Sequence, residues 1–187
     1  MPRLVAIGVA ALAFGALSGV AAYQRLASGS SEAQWQEIAW PFPRDGWPAG
    51  RAFRCMSMAC GEGSELYVRA KIGFCNCDSG VADDDEVDRV ADLDLISPRF
   101  EPRAAGQAVR IAEMSGRARA YELSMPDGTR RAAIGFALSR RCDLMVTVVQ
   151  GGADAGALQR AARDFLERHE MHTWMMAALD GQTLQRH

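Results

Sequence analysis

Lysine is nearly absent from this chain of 187 residues: of 21 lysines and arginines, only Lys71 is a lysine. A high-GC genome produces that bias as readily as a binding role does, so it carries no functional weight. A basic surplus is missing too. The formal net charge is −2, which leaves no overall electrostatic footprint for nucleic acid. Histidine occurs three times, at 169, 172 and 187, and no Ser-His-Asp arrangement can be assembled without inventing contacts. No glycine-rich phosphate loop precedes a helix, and neither Cys-x-x-Cys pairs nor zinc-ribbon spacings occur. Internal repeats and low-complexity tracts are absent as well. These absences make an enzyme the less expected class and predict no resident cofactor.

What the chain does have is enough apolar content, 49%, for one ordinary core plus an anchor. Residues 4–23 form an uncharged run, LVAIGVAALAFGALSGVAAY, preceded by Arg3. At about 1.5 Å per residue a helix of that length reaches roughly 30 Å, the thickness of a bilayer core. Signal-peptide cores are usually shorter, about 7–15 residues. The expectation is therefore an uncleaved transmembrane anchor over 1–23. The alternative is a signal cleaved after Val20-Ala21-Ala22, which would release a soluble periplasmic product. No cysteine stands near the end of the run, which argues against a lipoprotein. Ala11, Gly15 and Gly19 form a small-xxx-small face that permits helix pairing. Arg3 against Arg25 gives little positive-inside bias. Five cysteines decide the orientation instead, since disulfides persist in oxidising compartments. The predicted location is the bacterial inner membrane, single-pass, with the C-terminal domain in the periplasm.

Residues 24–49 read as a linker that ends in a Pro/Trp-rich strip. Pro41, Pro43 and Pro48 forbid regular helix there. Trp40, Phe42 and Trp47 between them are expected to pack on the following domain, or else to form a docking strip for a partner. The domain itself is expected over 50–187. Strands are predicted at 51–60 and 65–75, joined by Gly61-Glu62-Gly63-Ser64. A short helix is predicted at 83–93, capped by Asp83 with Glu86 three residues on. Further strands are predicted at 108–113, 117–124, 131–139 and 144–150, with turns at Ser115-Gly116 and Pro126-Asp127-Gly128. Asp154 is placed to cap a helix running to about His169 or beyond. The fold class is α+β: a two-layer domain of about six antiparallel strands with a short helix and a C-terminal helix.

The densest chemistry is Cys55-Met56-Ser57-Met58-Ala59-Cys60, followed by Cys75-Asn76-Cys77. On strands, alternation would put Met56, Met58 and Cys60 on one face, and Cys75 and Cys77 on one face of the next. Such thiolate and thioether donors could hold Cu(I). The leading expectation is structural: Cys55 or Cys60 pairs with Cys75 or Cys77 to staple a hairpin, with Cys142 available for another bridge and one thiol left over.

Asp83, Asp84, Asp85 and Glu86 open an acidic run that suits a helix N-terminus. It lacks the ligand register of an EF-hand, and its alternative use is a surface that steers a basic partner. His169 and His172, three apart, would share a helix face and could offer an open metal site; a packed or half-exposed role is the default. Together these features predict a non-enzymatic accessory or assembly protein. It would be membrane-tethered, would dock on an envelope partner, and would not bind nucleic acid. A thiol-redox or Cu(I)-handling protein is the alternative.

Overall fold

Residues 144–149, LMVTVV, and 132–138, AAIGFAL, run apolar almost without a break. Strands of that kind suit the centre of a sheet buried on both faces rather than on one. The computed structural model, which describes residues 33–73, 76–152 and 154–181, has that architecture. The hydrophobic run 4–23, with its anchor and signal readings, lies outside the described residues. Among those described, no helix is long and apolar enough to cross a membrane.

The elements are β1 (Trp35–Ile38), β2 (Arg51–Cys55), a 3-10 turn (Met58–Cys60), β3 (Glu65–Lys71), α1 (Asp84–Val90) and the single turn α2 (Leu93–Ile96). There follow β4 (Phe100–Pro102), β5 (Gln107–Ile111), β6 (Met114–Ser124), β7 (Arg130–Arg140), β8 (Asp143–Gly151), α3 (Ala155–Leu166) and α4 (His169–Leu179). The strands form one antiparallel eight-stranded sheet in the order β1-β2-β3-β8-β7-β6. Both β5 and β4 pair with successive parts of β6 at the far edge. Among the described residues this is an α+β fold with three helices and one isolated helical turn.

The two-layer, six-stranded expectation needs correction. Alternate residues of β7 and β8 point to opposite sides. Ile134, Phe136, Leu138, Met145 and Val149 pack with Leu158, Phe165, Met171 and Met175 of α3 and α4. Ala133, Ala137, Leu144, Val146 and Val148 pack with Val87, Val90 and Leu93 of α1 and α2. Helices therefore cover both faces, in three layers. The two additional strands are β1, inside the segment read as linker, and the three-residue β4.

Other expectations shift for local reasons. The strand predicted over 51–60 stops at Cys55, where the chain turns into the 3-10 segment and binds back on itself through Cys60. Gly116 is not a turn residue. It lies inside β6, where a Cβ would strike the Ala137 carbonyl of β7, so the glycine answers a close approach of two backbones. The β5–β6 turn instead uses Ala112 at φ 53°. The terminal helix breaks at Glu167 and Arg168, and the break lets Met171 and Met175 pack back on the sheet core. Asp83 and Asp154 do cap their helices, accepting from the Glu86 and Ala157 amides respectively.

Phe136 is fully buried in the face covered by α3 and α4. Phe136→Ala is expected to destabilise the fold by about 3–5 kcal/mol. In urea unfolding this reads as a lowered midpoint at unchanged slope.

Candidate functional site

The alternation of β3 sends Leu66, Val68 and Ala70 to one face and Tyr67, Arg69 and Lys71 to the other. An exposed polar face would be the simple outcome, yet Arg69 is 3% and Lys71 5% exposed. Their charges survive burial because carboxylates meet them. Arg69 donates from Nε to Asp92 Oδ2 at 2.6 Å and from Nη2 to Asp92 Oδ1 at 2.8 Å. It also donates from Nη1 and Nη2 to the two oxygens of Asp45 at 2.9 and 2.7 Å. Lys71 Nζ donates to Asp92 Oδ1 at 2.6 Å and to the Val90 carbonyl at 2.9 Å. Asp92 sits between α1 and α2 at φ 60°, ψ 24°, a left-handed conformation that aspartate tolerates better than most residues.

Aromatic rings close this cluster. Phe42 packs against Trp40 (5.3 Å between centroids) and Tyr67 (4.8 Å). Trp40 lies over Arg69 at 5.8 Å, and Trp47 over Lys71 at 5.9 Å. The segment can lie this close because Gly50 lacks a Cβ, which would strike the Val68 carbonyl and the Trp40 ring. About 10 Å³ stays free beneath the rings, too little for any substrate and at most space for one water. Burial alone would lower the Arg69 pKa, but the hydrogen bonds to Asp92 and then Asp45 raise it above its ordinary value. The same bonds from Arg69 hold Asp45 below the usual carboxylate range. Two buried cations are thus held by two carboxylates, Asp92 beneath the rings and the more exposed Asp45 at the rim, and together they form a latch.

The open site lies on the opposite face, beside the edge strand. A pocket of about 170 Å³ is lined by Trp35 and Glu37 of β1, Arg51 and Phe53 of β2, Phe165 of α3, and Arg168, Glu170 and Met171 around the start of α4. Phe165 stands 5.4 Å from the Trp35 ring and 4.8 Å from the Phe53 ring. Arg51 grips Glu37 through Nε–Oε1 and Nη2–Oε2 at 2.8 and 2.5 Å, which lowers the Glu37 pKa. Its guanidinium also lies over Phe53 at 4.9 Å and Trp174 at 5.5 Å. Trp35 packs against the Cys55–Cys60 corner as well. The pocket lining gathers aromatic rings with two arginines and two glutamates.

The cysteines pair as Cys55–Cys60 and Cys77–Cys142; Cys75 lies outside the described residues. The hairpin staple between the two Cys-rich pieces is thus replaced by one local bridge and one long-range bridge. They sit beyond opposite ends of β3, whose seven residues span about 20 Å. Met56 and Met58 are not on a strand and are 52% and 79% exposed. The structure therefore does not gather Met56, Met58, Cys60 and Cys77 into one Cu(I) ligand set. Among the described residues, no group of three or more His, Cys, Asp or Glu side chains could hold a metal ion. His169 is exposed and His172 half-buried on α4.

The acidic run is mostly engaged. Asp84 accepts from the Gly106 amide at 2.8 Å and from Arg117 Nε at 2.8 Å, and its pKa falls for those reasons, in that order. Glu86 binds Arg89 at 2.6 Å, and the neighbouring Asp88 binds Arg119 and the Tyr121 hydroxyl. Asp83 serves as the cap, and Asp85 is exposed. Trp40, Phe42 and Trp47 are half-buried on their own domain. Sequence reasoning missed the Arg69–Asp92–Lys71–Asp45 cluster and the Trp35–Phe53–Phe165 pocket. The one available signal was a pair of cations on a strand otherwise rich in apolar residues.

No protein-family model matches the chain, and no curated protein matches it in sequence. Among solved structures it is similar to the crystal structure of PA94, a protein of unknown function from Pseudomonas aeruginosa described as a candidate regulator. The identity is 13% and the TM-score 0.37, over 73% of this chain and 81% of that one. A likeness at that level carries no argument about function.

Asp92→Asn leaves Arg69 with the single carboxylate of Asp45 and takes from Lys71 its ion pair with Asp92. The expected cost is about 3–5 kcal/mol, and adding Lys71→Met should restore more than half of it; urea titration of the three variants checks both.

Burial, with a hydrogen bond to Glu65 or Asp88, raises the Tyr67 and Tyr121 pKa values above 10.0. As pH climbs past 10, the unfolded chain releases protons that the fold retains, so stability falls there. Asp45, Asp84 and Glu37 are lowered. Their contribution is present above about pH 4 and lost as pH falls through the depressed folded values. Tm measured against pH should decline at both ends, and phenolate absorbance from Tyr67 and Tyr121 should appear only with unfolding.

Proposed function

We propose that the chain is a non-enzymatic docking module of the bacterial cell envelope, supporting or assembling a larger complex. It is held in the inner membrane by residues 4–23, with its folded domain on the periplasmic side. The observation that carries this reading is the contrast between its two sites. The buried ionic cluster is shut and has no space for a substrate. The open pocket beside β1 offers aromatic and ionic contacts without catalytic groups. Disulfides at both ends of β3 support an oxidising compartment. The closure of Trp40, Phe42 and Trp47 over Arg69 and Lys71 shifts the proposed partner surface from that strip to the pocket at β1. Asp85 stays available for a basic partner, whereas Asp84 and Glu86 already hold arginines.

A second reading, thiol or Cu(I) handling, is favoured by the two methionines exposed beside the Cys55–Cys60 bridge. Reduction there would free soft donors next to thioethers. One sample separates the readings. Native mass spectrometry of the full chain, extracted in mild detergent, is expected to show it bound to a second polypeptide with both disulfides closed and no copper. The chain alone in every detergent tested would overturn the docking reading, and copper retained on reduced cysteines would support the second.

A further inference from the structure

We infer that the free edge of β1 and the pocket beneath it form a β-augmentation site. Its occupant is an extended segment of a partner protein that places one uncharged aromatic side chain in the pocket. This rests on the docking reading above and names the class of partner.

Backbone pairing shows which groups are open. The Met56 amide donates to the Gln34 carbonyl at 2.8 Å, so that pair belongs to the hydrogen-bonded class of the β1–β2 ladder. In an antiparallel ladder the classes alternate. Gln36 and Ile38, opposite Arg54 and Ala52, therefore also face β2. Trp35 and Glu37 direct their N–H and C=O groups away from β2, and among the described residues no strand pairs with that edge. An added strand would find two donors and two acceptors in register, enough to fix an extended peptide.

Side chains reinforce the backbone. Trp35 and Glu37 stand opposite Cys55 and Phe53, and they line the pocket. Residues of an added strand opposite Trp35 and Glu37 would point to that same face, over the pocket. Its volume of about 170 Å³ compares with the roughly 150 Å³ of an engineered protein cavity that admits benzene. Half-buried Trp35 supplies the aromatic wall, with the buried Phe53 and Phe165 rings behind it.

Charge and symmetry narrow the occupant. Glu37 and Glu170 balance Arg51 and Arg168 around the mouth, so a neutral ring leaves the balance intact and a charged group disturbs it. Among the described residues, a second copy pairing edge to edge at this site would present its own β1. Its Trp35 is already stacked on its Phe165, and its Glu37 is already gripped by its Arg51. Such pairing would leave the pocket empty, so the fitting occupant is a different polypeptide.

The test uses the full chain in detergent micelles with the peptide acetyl-Thr-Val-Thr-Phe-Thr-Val-Thr-amide as probe, read by amide hydrogen exchange. Saturating peptide is expected to slow exchange at Trp35 and Glu37. Replacing its Phe by Ala should weaken binding about 30-fold, the usual consequence of losing an aromatic anchor. N-methylation of the Phe amide should abolish protection. Equal binding of the Ala peptide, or protection elsewhere, would overturn the inference. So would slow exchange before any peptide is added: unchanged on dilution, it means the chain covers its own edge; lost on dilution, it means a second copy does. A companion protein in the native mass spectrum with these amides still open would leave the docking reading standing and remove this one.

Discussion

Asp92 is shared by two buried cations, and much of the molecule depends on that arrangement. Arg69 and Lys71 lie on a central strand where a buried charge without a partner would strongly destabilise the fold. A single carboxylate, held left-handed between α1 and α2, reaches both. The geometry fastens the helical turn to the sheet. It also recruits Asp45, and with it the proline-rich segment that carries Trp40, Phe42 and Trp47. Without Asp92, an approach of those rings would bury uncompensated charge, which is far more costly than the packing they contribute.

That closure shapes what remains available for recognition. Helices seal one face of the sheet over α3 and α4 and the other over α1 and α2. At the far edge, β4 and β5 together cover most of β6. The short strand β1 is left as the edge next to an open pocket. Short, partly charged edge strands avoid indiscriminate pairing, and β1 has four residues, one of them Glu37 bound to Arg51. A disulfide corner behind Trp35 braces this end of the sheet and keeps the pocket wall in place.

The sequence made β6, β7 and β8 legible within one to three residues at each end, because apolar runs and the Pro126-Asp127-Gly128 turn delimit them. The Asp83 and Asp154 caps were equally readable, since a cap needs only its own few residues. Three things were not. Gly116 looks like a turn residue, but its role depends on how closely β7 approaches. Residues 35–38 look like linker because a four-residue strand carries too little pattern to stand out. The charges of β3 look solvent-facing, because their neutralising carboxylates come from 24 positions before Arg69 and 23 after it. The cysteines show the same limit: their number led to the expectation of bridges, and only the fold could choose partners 65 residues apart.

The latch can be tested directly because Lys71 is the only lysine. Treating the folded protein with an amine-acylating reagent at neutral pH and reading each site by peptide mass spectrometry reports whether the cluster is closed. The account predicts that Lys71 stays unmodified in the folded state and is acylated once the chain is unfolded. Acylation of Lys71 in the folded protein at the rate of a free model amine would contradict it.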